Sequence, residues 1–181
     1  MNGTTSRTIR RQAGGIVVLL ALAGLLTGCV SRAPDTATDR RTEPAVDPET
    51  AKQQMIDAVD DATRLLGGDW TPRTGPDYAE DCVLSDGEQG AQWRYLTGSS
   101  LAGNPSEDGT RMAEHWRGQG LEVIVRDSDD GPAVFGSGGE RFASISAYAY
   151  SGNYTVQAVS SCFPGDADRI AEEDSDDAGA P

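Results

Sequence analysis

The residues able to do chemistry in this 181-residue chain are few and scattered: one histidine, three cysteines and 29 carboxylates. Any Ser-His-Asp relay would have to use His115, the single imidazole, and no Gly-x-Ser-x-Gly elbow presents a serine to it. Ser99-Ser100 and Ser160-Ser161 read as turn and strand residues instead. Zinc centres of the usual kind need more imidazole and thiol ligands than the chain holds. Asp127-Ser128-Asp129-Asp130-Gly131 begins like a calcium loop, but Gly131 falls at position 5, Pro132 at 6 and Gly138 at 12, where a bidentate glutamate belongs. Gly136-Ser137-Gly138-Gly139 has no lysine and precedes a strand, so it reads as a flexible loop and not as a phosphate cradle. Glycoside chemistry needs two carboxylates held about 5–9 Å apart, and Asp77, Glu80, Asp81, Glu114 and Glu122 show no pattern that singles out a pair. No catalytic residue, metal site or cofactor is therefore expected.

The elements that would position these groups are legible in outline. Asp47-Pro48-Glu49 supplies an N-cap, a proline at the first helical position and an acid in the first turn. Met55, Ile56, Val59, Ala62 and Leu66 then recur at helical spacing, and Gly67-Gly68 stops the helix. Trp70 and Thr71-Pro72 follow as a connector. Strands are expected over Ala79 to Leu84 and Gln92 to Thr97, the second with Trp93, Tyr95 and Thr97 on one face and Arg94 on the other. Asn104-Pro105-Ser106-Glu107 starts a second helix with Met112, Ala113 and Trp116 inward and His115 beside that face, at a surface or boundary position. Leu121, Val123 and Val125 alternate as a strand, and a short segment around Val134 and Phe135 would pair at an edge. A hairpin closes the domain: Arg141 to Tyr150, a Ser151-Gly152-Asn153 turn, and Tyr154 to Cys162. The order is α-β-β-α-β-β-β, which implies an α+β two-layer sandwich: an antiparallel sheet of four to five strands with two helices on one face. Tyr148, Tyr150 and Tyr154 gather near one hairpin end. They read either as cross-strand packing or as a binding surface.

Both ends of the chain differ from this middle. Arg7, Arg10 and Arg11 precede the apolar run Ile16 to Leu26, which is too short for a bilayer span of roughly 20 residues. A cationic start, a short apolar core and small residues after it describe a secretory signal. The Arg10-Arg11 pair lacks the apolar residues expected after a twin-arginine motif, so export as an unfolded chain is the reading. Leu26-Thr27-Gly28-Cys29 resembles the lipobox of bacterial lipoproteins, in which the thiol is diacylated and the chain is cut before it. The resemblance implies a signal peptide over 1–28 and attachment to the cell membrane through a diacylglyceryl group on Cys29, at the extracytoplasmic face. Two acyl chains suffice for stable anchoring where one is marginal. Residues 29–46 are poor in apolar side chains and read as a lipidated, disordered tether, 47–165 as the globular domain, and 166–181 as an acidic, disordered tail.

Charge and cysteine use agree with export. The precursor carries a formal net charge of −14, and loss of the three leader arginines leaves 12 basic against 29 acidic groups. So acidic a chain is repelled by nucleic acid, which excludes that class of partner. With Cys29 acylated, Cys82 and Cys162 remain as an even pair in an exported domain and read as a disulfide.

The lipobox, the tether, Trp70 after the first helix and the ending Ser160-Ser161-Cys162-Phe163-Pro164-Gly165 together resemble small actinobacterial envelope lipoproteins of the LppA-like group. The resemblance implies a place in the cell envelope and carries over no activity. The expectation is a non-catalytic binding or accessory module for an envelope protein or small ligand. A structural spacer, or a hydrolase with a carboxylate-based site, is the alternative.

Overall fold

The structure, a computed structural model, describes residues 45–178. The expected signal peptide, Cys29 and nearly all of the tether lie outside the described residues. The elements run α1 (Pro48–Leu66), β1 (Thr71–Val83), β2 (Gln89–Ser99), α2 (Pro105–Gly118), β3 (Glu122–Ser128), β4 (Gly131–Ser137), β5 (Phe142–Tyr148), β6 (Tyr154–Ser160), β7 (Phe163–Pro164) and α3 (Ala167–Ala178). The class is α+β, and the sheet is antiparallel. Among the described residues the seven strands and three helices exceed the four to five strands and two helices expected from sequence.

The ends of α1 follow local chemistry. The Asp47 carboxylate accepts from the Thr50 N–H at 3.0 Å, and Gly67 leaves the helix with φ 73°. The Trp70 indole then donates to the Gly67 carbonyl at 2.9 Å, satisfying a group the helix end leaves open. Trp70 is thus a cap, and the segment read as a connector is already strand by Thr71. Pro72 and Pro76 concealed this. They are tolerated because β1 is an outer strand whose pairing with β2 shifts register between Pro72 and Thr74 and again before Tyr78.

The strand order is β1-β2-β6-β5-β4-β3, with β7 also pairing β2. The glycines of 136–139 that read as a loop are partly strand, since Gly136 and Ser137 end β4. Gly136 is glycine for packing: a Cβ there would come within 3.1–3.2 Å of Ile145, Leu121 and Trp116. One further irregularity re-aims the core. Between Phe142 and Ser144 the pairing of β5 with β6 shifts, so Ala143 is extra and exposed while Phe142 is buried opposite Ser160.

Helices cover one face of this sheet. Met55, Val59 and Ala62 of α1 and Met112, Ala113 and Trp116 of α2 join Trp93, Val134, Ile145, Ala147, Tyr154, Val156 and Ala158 in one buried cluster. Ile56, counted among the apolar positions of α1, is only half-buried at its rim. The acidic tail also departs from expectation. Residues 167–178 form α3, because Asp166 caps it by accepting from the Arg169 N–H at 3.1 Å, and its first turn has apolar anchors. Ala167 is buried, and Ile170 reaches over Gly165 beside Ala91 and Phe163. Cys82 and Cys162 are disulfide-bonded, tying β1 to the stretch between β6 and β7. Gly90 lies beneath the bridge, where a Cβ would stand 2.9 Å from the Cys162 Sγ and 2.7 Å from the Phe163 carbonyl.

Candidate functional site

Among the described residues no helix covers the opposite face of the sheet, which carries a grouping of exposed and half-buried recognition residues. Alternation along the strands sends Ile124 and Arg126 of β3, Phe135 of β4, Tyr148 of β5, Thr155 and Gln157 of β6, Arg94 and Leu96 of β2, and Tyr78 of β1 to this side. Three aromatic rings run diagonally across it. Phe135 and Tyr148 meet edge-on at 5.8 Å, and Tyr148 meets Tyr150, just beyond β5, edge-on at 5.7 Å. The Arg126 guanidinium lies 5.3 Å from the Phe135 ring centre and extends the row to the outer strand. Each ring pair contributes about 0.5–1.5 kcal/mol beyond area burial, and the three rings are half-buried. Arg94 donates to Glu80 at 2.7 Å, and its buried Nε has no hydrogen-bond partner among the described residues.

This placement resolves the tyrosines one by one. Tyr148 packs across to Phe135 of β4, Tyr150 packs on Tyr148 within the same segment, and both are half-buried. Tyr154 does neither. It is fully buried on the helix side, where its hydroxyl donates to the Asp108 carboxylate at 2.8 Å. The turn explains the difference: the Asn153 N–H donates to the Tyr150 carbonyl, so the turn has two central residues, Ser151 and Gly152, not three. Tyr148 then pairs with Thr155, and Tyr154 alternates to the other face.

Asp108 was not singled out by sequence reasoning, yet it organises the start of α2. One carboxylate oxygen accepts from Tyr154 and from the Asn104 N–H at 3.0 Å, the other from Arg111 at 2.8 Å. Burial and then the neighbouring Asp108 carboxylate push the Tyr154 hydroxyl far above its usual 10.0. An acid four residues into a capped helix, facing a buried tyrosine, was the available signal. Gly103 lies flat against both groups with no room for a Cβ.

His115 sits half-buried between the helices, at the boundary position expected. Its Nε2 lies 2.6 Å from Asp61 Oδ2, and Gln119 donates to the same oxygen at 2.8 Å. Because an ionised carboxylate only accepts, Nε2 carries the proton. Burial acts to raise the Asp61 pKa, but the hydrogen bonds from His115 and Gln119 outweigh it and hold the group below 3.8. Hydrogen bonds from Thr50 likewise lower the helix-capping Asp47. A general acid needs the opposite displacement, and among the described residues no serine is hydrogen-bonded to His115. The contact is an interhelical clasp. Among the described residues no group of three His, Cys, Asp or Glu side chains is arranged to hold a metal ion, and no helix is long and apolar enough to cross a membrane.

No protein-family model and no curated protein matches the chain. Among solved structures it is similar to the crystal structure of a DUF4853 family protein from Actinomyces odontolyticus ATCC 17982. The identity is 18% and the TM-score 0.39, over 66% of this chain and 64% of that one. The chain thus spans just under two thirds of that neighbour's length.

Proposed function

We propose that this chain is a lipid-anchored, extracytoplasmic module of the bacterial cell envelope, held by a diacylglyceryl group on Cys29, that binds a protein partner through the open face of its sheet. The observation that carries the binding half is the row Arg126-Phe135-Tyr148-Tyr150 on a face that no helix covers among the described residues. Aromatic residues and arginine are the types enriched where proteins bind one another. The row spans residues of β3, β4 and β5 and presents ring edges and a guanidinium side by side, a composition that favours a protein. The anchoring half rests on the lipobox resemblance of Leu26-Thr27-Gly28-Cys29, and the acidic composition keeps nucleic acid outside the set of partners.

Two measurements test the halves separately. Intact mass of the protein from membranes should fit residues 29–181 plus lipid, and Cys29→Ala should abolish both lipid and attachment. An unlipidated or full-length species would overturn the anchor. For the face, a photo-crosslinking residue in place of Tyr148 in the membrane-bound chain should give one discrete adduct that Phe135→Ala removes, while the same probe at the exposed Gln53 on α1 gives none. Equal, diffuse labelling from both positions would overturn the binding reading.

A further inference from the structure

The outer strand β3 offers a second surface, its unpaired backbone edge, which borders the open face and shares Ile124 and Arg126 with it. Among the described residues four large apolar side chains are exposed, Tyr78, Val83, Ile124 and Val125. Two of them are consecutive on β3, at 58% and 41% exposure, and alternation puts one on each side of the sheet. An outer strand offers its unpaired N–H and C=O groups to any chain that lies alongside, and folds usually blunt this with prolines or bulges. The other outer strand, β1, is blunted in both ways. β3 is not: seven residues, Glu122–Ser128, pair with β4 without a break, and none is proline.

The sequence of β3 is complementary to itself. In an antiparallel ladder, residues directly opposite both point their backbone groups across the gap or both away from it. A strand pairing with its own copy can therefore only be centred on a residue, never between two. Centred on Ile124, Glu122 stands opposite Arg126, Val123 opposite Val125 and Ile124 opposite its own copy. Centred on Val125, Ile124 would meet Arg126 and Val123 would meet Asp127. Centred on Val123, Glu122 would meet Ile124. Only the first register sets charge against opposite charge and apolar against apolar. Neither Glu122 nor Arg126 has an ion-pair partner among the described residues, and Arg126 is steadied over Phe135. From these observations we propose that β3 pairs with β3 of a second copy of this chain, antiparallel and centred on Ile124, giving a two-fold dimer with one continuous sheet.

The helices permit this. α2 packs over β4, with Gly109 against Pro132 and Val134. α2 also packs on β3, so the two copies of α2 would stand two to three strand spacings apart, about 9–14 Å, against the 8–10 Å of helices in contact. A groove of about 170 Å³ lies beside Val125, between α2 and the outer strands, lined by Gly109, Ala113 and Pro132 and by the polar Thr110, Glu114 and Asp127. Pairing would close it on the Val123 and Val125 side chains of the partner copy. The contact is isologous, so it closes at two copies and does not propagate along this edge.

The test uses the full-length chain in detergent. Ile124→Cys should form a disulfide-linked dimer on mild oxidation, because opposed Cα atoms at about 4.5–5.5 Å fall within disulfide reach. The unsubstituted chain and Tyr78→Cys, on the far edge, should not. Arg126→Glu should weaken dimerisation in sedimentation roughly tenfold or more, since two attractive pairs become repulsive. Glu122→Arg combined with Arg126→Glu should restore it to within about threefold, because the pairs are recreated with signs exchanged. Unchanged thermal melting of these exposed-site variants confirms that they fold. A monomeric unsubstituted chain at every concentration would overturn the proposal. So would a folded double variant that stays dissociated, or oxidation that links Ile124→Cys to a different protein.

Discussion

Replacing Tyr154 by phenylalanine tests whether the Tyr154-Asp108 contact holds the last hairpin to the start of α2. The side chain is fully buried, so the substitution removes one oxygen and leaves the packing of the ring intact. The lost bond, 2.8 Å long to a carboxylate that is 6% exposed, belongs to the class worth about 1.5–3 kcal/mol. Asp108 keeps the Asn104 N–H and Arg111 as donors, so it is not orphaned, and the loss should fall near the lower end, about 1.5–2 kcal/mol. For a domain of this size that lowers Tm by roughly 5–10 °C. Asp108→Ala should cost more, about 3 kcal/mol or above, because it strands the tyrosine hydroxyl and a helix-entry N–H at once. Urea unfolding of the two single variants and the double variant measures the coupling, expected at about 1–2 kcal/mol. A pH titration supplies an independent readout. The folded-state pKa of Tyr154 is raised above 10.0, so the contribution is complete below pH 10 and declines as pH rises beyond it. The stability difference between the native protein and Tyr154→Phe should therefore be flat from neutrality to about pH 9 and shrink only in strong alkali. A Tyr154→Phe variant within about 0.5 kcal/mol of the native protein, or a coupling near zero, would refute the reasoning.

The disulfide and the His115 clasp give two further expectations. Changing both Cys82 and Cys162 to serine opens a loop of 80 residues and should reduce stability by about 4.5 kcal/mol on the chain-entropy argument, read as a lower urea midpoint; a loss under about 1 kcal/mol would contradict it. The Asp61 pKa is lowered in the folded state, so its contribution is present above 3.8 and vanishes as pH falls through the folded value. Asp61→Asn should then destabilise at pH 6 and make no difference in strong acid, and a stability gap that persists unchanged at low pH would count against the clasp.

How much of this was readable beforehand depended on how local the deciding interaction is. The ends of α1 were legible because Asp47, Pro48 and Gly67 act within one turn of themselves. The inward face of α2 was legible because Met112, Ala113 and Trp116 keep helical spacing. The hairpin tyrosines were not, since a turn one residue shorter than expected inverts the parity of every pair in β5 and β6. The same holds for Phe142, whose burial depends on a single extra residue at Ala143. The acidic tail read as disordered because its charge conceals one buried alanine and one isoleucine that dock it. The open aromatic row could not be assembled in advance, as Phe135 and Arg126 lie on strands whose order in the sheet no local pattern reveals.

By itself, the sequence determined the α+β class, the ends of α1 and α2, the pairing of Cys82 with Cys162 and the strongly acidic charge balance. These follow from composition, from periodicity and from interactions a few residues long. Tertiary structure alone decided which face of the sheet stays uncovered, that Tyr154 turns inward to Asp108 while Tyr148 turns outward to Phe135, and that β3 rather than β1 is left as an unblunted edge. Those outcomes depend on strand order and register, which are set when distant segments compete to bury apolar area against one another.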